Sequence, residues 1–221
     1  MRVSAVMPTT IARRAWIPHA VACFLTQDYA ERELIVASED IDVTALLPDD
    51  PRIRFVTVPR GLTLGAKRNL ANAAAGGELI AHWDDDDWHA PGRLSTQVNA
   101  LRGGARLSGV RELLFVDITT GAVWRYRALP DEPSVPGTTL CYERALWAAH
   151  PFASVRSGEE RLWCIAHGAS IAEPTQTIVV ATVHSGNTCA RLFNPPCWSH
   201  VDVNELPEAC RLWLAGIRSR G

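Results

Sequence analysis

Glu78-Leu79-Ile80-Ala81-His82-Trp83-Asp84-Asp85-Asp86-Asp87-Trp88 is the stretch on which the fold turns. A short apolar segment runs directly into four consecutive aspartates. The apolar part has the length and composition of a buried strand. Four adjacent carboxylates repel one another and raise one another's pKa, a cost that a divalent cation removes. Mg²⁺ and Mn²⁺ take hard oxygen ligands, usually one or two carboxylates, and complete their shell with phosphate oxygens and water. A cation held here would bridge a diphosphate and neutralise the charge that develops as it leaves. The competing reading is a solvated acidic turn, and the flanking Trp83 and Trp88 speak against it.

Upstream, strand-like and helix-like segments alternate. Val3 to Met7 is an apolar run stopped by Pro8, Glu33 to Ala37 a second strand and Ile53 to Val58 a third. Between them, Arg13 to Thr26 has helical spacing of Trp16, Ala20, Cys23 and Phe24, with Thr9 and Thr10 as candidate caps. An Ala-rich helix over Ala66 to Ala75 is bracketed by Gly65 and Gly76-Gly77. Repeated strand–helix–strand units of this length predict an α/β fold with a parallel sheet covered by helices. Ligands of such sheets bind beyond the carboxyl ends of the strands. Pro8-Thr9-Thr10, Ser38-Glu39-Asp40, Pro59-Arg60 and Asp84 to Asp87 all fall on that edge. The later half is less regular: a Pro-rich loop over 130–136, a strand over Thr138 to Tyr142, and a short helix over Arg144 to Ala149. A helix from Gly158 follows, ended by Gly168, then a strong strand over Ile178 to His184 and an amphipathic helix over Leu206 to Ile217.

The totals narrow the class. The 221 residues are 47% hydrophobic and 21% charged, with a formal net charge of −2 and no basic block, which excludes a duplex nucleic-acid binder. No apolar stretch approaches the roughly 20 residues of a membrane span, and the N-terminal run is too short for a signal peptide. The six cysteines contain no C-x-x-C pair and read as idle thiols, so cytoplasm is the expected location. Lys67 and Arg68 open a helix whose dipole prefers anions at that end; an arriving diphosphate explains them, helped by the backbone N–H groups there.

Val3-Ser4-Ala5-Val6-Met7-Pro8-Thr9, Gln27-Asp28-Tyr29 followed by Glu33-Leu34-Ile35-Val36, Gly65-Ala66-Lys67-Arg68-Asn69, and Gly77-Glu78-Leu79-Ile80 running to Asp84–Asp87 resemble, in order and spacing, the motifs of family-2 glycosyltransferases. The resemblance covers about residues 1 to 100. It thins through the middle and resumes at Ser157-Gly158-Glu159-Glu160 and His184-Ser185-Gly186-Asn187-Thr188. It implies a GT-A (Rossmann-like) three-layer sandwich with a mostly parallel central sheet and helices on both faces. The expected organisation is one domain over 1–221, with a nucleotide-sugar donor half over 1–100 and an acceptor and catalytic half over 101–221.

By the same resemblance, Pro8 and Thr9 lie against the nucleoside, and Glu39 stands where the family has an aspartate that pairs with the base, which favours a UDP-sugar. Lys67 and Arg68 face the diphosphate. Asp86 and Asp87 hold metal and ribose with Asp84 as the first member of a D-x-D, whereas Asp85 sits at the variable position and reads as a solvated neighbour. His184 resembles a third metal ligand for Mn²⁺ or Mg²⁺. Glu160, preceded by Glu159, matches the catalytic acid position, which in the family is more often Asp; its carboxylate would accept the proton of an acceptor hydroxyl on a saccharide or other molecule. Of the eight tryptophans, Trp83, Trp88, Trp124, Trp163 and Trp198 are candidate stacking surfaces for sugar rings, and Trp88, beside the acidic run, is the first candidate for the acceptor platform. Two rivals are a nucleotidyltransferase, against which stands the lack of a Gly-rich phosphate loop after the first strand, and a non-catalytic family member that binds nucleotide or sugar.

Overall fold

The computed structural model describes residues 1–129, 132, 134–167, 171–187, 193 and 196–218. The expected first strands are present as β1 (Val3–Pro8), β2 (Arg32–Ser38), β3 (Ile53–Thr57) and β4 (Leu79–His82). Eight more follow: β5 (Trp88–His89), β6 (Leu107–Ser108), β7 (Glu112–Asp117), β8 (Val123–Arg127), β9 (Cys141–Glu143), β10 (Ile171–Ala172), β11 (Val179–Val183) and β12 (Trp198–Val201). The helices are α1 (Ile17–Leu25), α2 (Leu64–Ala74), α3 (Arg93–Arg102), α4 (Arg144–Ala149), α5 (Glu159–His167) and α6 (Glu208–Arg218).

The central sheet has the order β10-β6-β9-β4-β1-β2-β3. β3, β2, β1 and β4 run parallel, and β9 pairs antiparallel with both β4 and β6. Strands buried on both faces read as near-continuous apolar runs because each face needs its own apolar set. Val3, Ala5, Met7, Leu34, Val36, Leu79 and Ala81 face a core closed by α1, α3 and α6. Val6, Ile35, Ala37 and Ile80 face the opposite core, closed by α2, α4 and α5. The result is the expected three-layer arrangement.

The sequence reading did not anticipate the second sheet, of order β12-β8-β7-β11-β5. It alternates: Leu114, Val116 and Val180 join the first core, while Leu113, Phe115 and Ala181 turn the other way with Trp124, Tyr126 and Trp198. The sheets exchange strands across residue 100, since β5 belongs to the second and β6, β9 and β10 to the first.

Two glycines set the frame of the site. Gly77 lets β1 and β4 start side by side, because a Cβ there would lie 2.7 Å from the Arg2 carbonyl oxygen. Gly65 lets α2 approach the 153–155 segment, where a Cβ would fall 2.0 Å from the Ala153 oxygen. The α2 N-terminus is capped by Thr63, whose hydroxyl accepts from the Ala66 amide at 3.3 Å. The helix expected to begin at Arg13 starts later: Ile11–Arg13 is a 3-10 turn and α1 begins at Ile17-Pro18, proline being tolerated in a first turn. Thr10 makes no side-chain cap. Gly168, expected to end α5, lies outside the described residues, as does much of the Pro-rich loop. The five described cysteines are free thiols, four of them buried. No described helix is long and apolar enough to cross a membrane.

Candidate functional site

The β4 strand delivers the four aspartates to the carboxyl edge of the sheet, and each finds a different environment. Trp83 anchors the turn: it is fully buried, donates to the Ala20 carbonyl at 3.1 Å and stacks on His89. Asp84 accepts from Arg68 Nη2 at 2.7 Å. Asp85 is not the solvated neighbour expected from its position. It is 4% exposed and accepts from the Thr9 hydroxyl at 2.5 Å and from Arg13 Nη1 at 3.0 Å. Burial pushes its carboxyl up to about 7, with Asp86 adding to the effect.

Asp86 collects donors on one oxygen: Arg13 Nη1 at 2.5 Å, His184 Nε2 at 3.0 Å and Asn187 Nδ2 at 3.2 Å. Burial works to raise its pKa, but the hydrogen bonds and charges of His184 and Arg13 outweigh it and hold the carboxylate below its usual range. Asp87 accepts from the Thr182 backbone N–H at 3.0 Å. Burial, then Asp86 and Asp84, push it well above the carboxylate range.

The helix α2 carries the expected cations, already partnered. Lys67 Nζ donates to Glu39 at 2.6 Å and to the Thr9 carbonyl at 3.3 Å, so the candidate base-pairing carboxylate holds a lysine. Arg68 is 3% exposed and forks between Asp84 and Glu159 Oε1, the latter at 2.9 Å. Its Nε and Glu159 Oε2 are buried without partners. Glu159 is fully buried, and burial raises it to about 7 against the opposing pull of Arg68. Glu160, one residue on, is half-buried, and its Cγ and carboxyl lie where a Cβ on Gly137 would be. The two glutamates interact with each other, and they differ in that Glu159 holds Arg68 while Glu160 is the more exposed of the two.

His184 ends β11 as expected and reaches Asp86. Trp16 stacks on its ring at 4.7 Å, and its Nδ1 accepts from the Gly186 amide at 3.0 Å. Its Nε2 faces the Asp86 carboxylate at 3.0 Å. Among the described residues no three His, Cys, Asp or Glu groups already stand as a metal cage. The donor set nevertheless fits a hard divalent ion. Asp86 and His184 are 3.0 Å apart, the separation of neighbouring ligands in an octahedral shell with bonds of about 2.1 Å. Among the described residues, the six carboxylates Asp84–Asp87, Glu159 and Glu160 share ion pairs with two guanidiniums, Arg13 and Arg68, while Arg93 adds its charge near Asp84 and Asp87.

Two adjoining cavities open at this edge. The larger, about 350 Å³, is lined by Asp84–Asp87, Arg68, Glu159, Glu160 and Asn187 on one side and by Phe115, Tyr126 and Trp198 on the other. The smaller, about 330 Å³, is lined by Pro8, Thr9, Thr63, Lys67 and Arg156. Trp88, expected as the acceptor platform, is instead 5% exposed within the first core. Trp198 lines the larger cavity, 4.8 Å from the Phe115 ring and 5.0 Å from Tyr126. Sequence reasoning named Trp198 among the stacking candidates but assigned no role to Arg13, Asn187, Phe115 or Tyr126. The only signal for Asn187 was its place in the His184-Ser185-Gly186-Asn187-Thr188 segment, and Thr188 lies outside the described residues.

Adjoining cavities beyond the carboxyl ends of parallel strands, the larger of them lined by an acidic turn, form a sheet-edge site of the GT-A class. Residues 4–130 match the model of glycosyl transferase family 2, more than half of the sequence, and the chain belongs to that family. No curated protein matches the sequence. Among solved structures, the chain is similar to S. aureus TarS residues 1–349 in complex with UDP-GlcNAc, with a TM-score of 0.68 at 17% identity over 85% of this chain and 60% of that one. The complex of the same TarS fragment with UDP gives 0.66 at 18% identity, covering 83% and 61%. A longer S. aureus TarS structure gives 0.61 at 17%, covering 83% and 37%. These likenesses show the shared GT-A fold, and the chain spans less than two thirds of each of those chains.

Proposed function

We propose that the chain is an inverting, metal-dependent glycosyltransferase that moves a sugar from a nucleotide diphosphate-sugar, UDP-sugar favoured, to an acceptor hydroxyl. The observation that carries this reading is the pair of adjoining cavities, one lined by Pro8, Thr9 and Lys67 and the other by the acidic turn and Glu160. The structures of TarS, whose fold this chain shares, hold UDP-GlcNAc and UDP, which favours the same class of donor here.

In this reading residues 1–100 form the donor half, with the nucleoside in the smaller cavity and the sugar in the larger. Residues 101–221 supply the acceptor side. Asp86 and His184, joined by Asp87, would hold Mn²⁺ or Mg²⁺, which when bound neutralises charge gathering on the leaving diphosphate. Glu160 accepts the acceptor hydroxyl's proton as that oxygen bonds to the anomeric carbon and the bond from that carbon to the diphosphate oxygen breaks. A single displacement of this kind inverts the anomeric configuration. Glu159 keeps Arg68 beside Asp84.

A panel of nucleotide-sugars with Mn²⁺, scored by release of nucleoside diphosphate, tests the reading. One donor is expected to be consumed, with inverted product, and Asp87→Ala is expected to lower turnover at least about 100-fold. Turnover unchanged in Asp87→Ala would sink the metal assignment, and a product that retains configuration would sink the single displacement.

A further inference from the structure

Only four residues line both cavities: Pro8, Arg13, Leu64 and Ser157. Arg13 alone among them is charged. It sits on the 3-10 turn that follows β1, with its side chain 20% exposed. Its Nη1 bridges Asp85 and Asp86, and its Nη2 donates to the Gly186 carbonyl at 2.8 Å. A donor with its nucleoside in one cavity and its sugar in the other must lay its diphosphate across this seam.

The other cations are worse placed for that contact. Arg68 borders only the larger cavity, and both its terminal nitrogens are occupied, one by the buried Glu159 and one by the partly exposed Asp84. Lys67 borders only the smaller cavity and is bound to Glu39. Arg156 also borders only the smaller one, and Arg161 borders only the larger one, where it is paired with Glu132. A guanidinium, in contrast to an ammonium, offers a planar fork that matches phosphate oxygens two at a time.

We propose that Arg13 grips the donor's diphosphate, exchanging the carboxylates of Asp85 and Asp86 for phosphate oxygens as the donor enters. The carboxylates keep the guanidinium at the seam while no donor is bound. The exchange frees the Asp86 oxygen that His184 and Asn187 also share. This role rests on the donor reading above and adds a residue that neither the family resemblance nor the acidic motif assigns.

Calorimetric titration of UDP, uridine and inorganic pyrophosphate into the wild-type chain, Arg13→Gln and Arg13→Lys, in Mn²⁺ buffer, tests it. Arg13→Gln is expected to weaken UDP and pyrophosphate at least about 10-fold and to leave uridine unchanged, the loss of one charged phosphate contact. Unchanged UDP affinity in a folded Arg13→Gln protein overturns the proposal. So does tighter UDP binding, which would make Arg13 a plug, and so does a parallel loss of uridine. Should Arg13→Gln fail to fold, Arg13→Lys decides: UDP several-fold weaker with uridine intact supports the fork, and UDP unchanged overturns it. Pyrophosphate binding without UDP binding to the wild-type chain would break the uracil reading while leaving Arg13 to be judged on pyrophosphate. Binding of neither would overturn both.

Discussion

The donor edge and the second sheet use the same residue types to opposite ends. At the donor edge the central ion pair is buried: Arg68 and Glu159 have side chains 4% and 0% exposed. On the second sheet the ion pairs lie in water, as with Arg127 and Glu112 at 68% and 44%. Exposed pairs contribute about 0–1 kcal/mol, whereas a buried charge that loses its partner costs several. Charge therefore fixes geometry on one side of the cavity. On the other, shape and ring stacking by Phe115, Tyr126 and Trp198 do so. Chemistry that handles a diphosphate needs the first kind of wall, and recognition of a ring with apolar and polar faces needs the second.

Arg68→Ala is the change that should break this contrast most severely. It leaves Asp84 and Glu159 without their shared partner, and Glu159 cannot turn to solvent. A loss of about 3–5 kcal/mol in urea unfolding is expected. A loss below about 1 kcal/mol would mean that the buried pair behaves like the exposed ones, and the two walls would no longer differ in kind.

The next effect is a pH dependence confined to the donor side. Burial raises Glu159 from the ordinary 4.5 to about 7, so the folded chain holds that proton more tightly than the unfolded one. Its contribution to stability is complete below about 4.5 and is lost as the pH rises through about 7. Glu159→Gln removes this group's share, up to about 3 kcal/mol across the window, and flattens the slope of stability against pH. Denaturation curves at pH 5 and pH 8 measure it. Equal slopes in the two proteins would show that Glu159 titrates as an ordinary exposed carboxyl.

How far each wall could be read from the sequence follows from the same contrast. Strands β1, β2 and β4 were legible because burial on both faces writes them as apolar runs, with Pro8, Ser38 and Asp84 marking where they end, and the half-buried edge strand β3 was legible by its alternation. His184 and Asp86 were both legible as candidates, and the fold brings them to 3.0 Å across 98 positions. Of the second sheet only β11 was legible. Strand β5 is two residues long, and β8 reads Val-Trp-Arg-Tyr-Arg, whose partners lie on both sides of it in sequence. Trp88 and Trp198 could not be ranked from sequence, because both precede a polar residue and only pairing with β11 or β8 decides which is buried. Arg13 was hidden for a similar reason: on a helix it would read as a solvated cation, and the 3-10 turn instead aims it at the acidic run.

The smallest expected effect falls on the aromatic wall and would sharpen the division of labour. Trp198 packs edge-on to Phe115 and tilted on Tyr126, with one face of the group turned to the cavity. Trp198→Ala removes a stacking surface without touching any group that the donor side uses. The KM for the acceptor should rise roughly 10-fold, about 1–2 kcal/mol, with Trp198→Phe recovering most of it. Affinity for nucleoside diphosphate, and slow transfer of the donor sugar to water, should not change. A fall in nucleotide affinity in the Ala variant would show that the second sheet also shapes the donor cavity, so that the two walls act as one device. An acceptor KM that ignores the substitution would move the platform away from β12 and leave the polar wall to recognise both substrates.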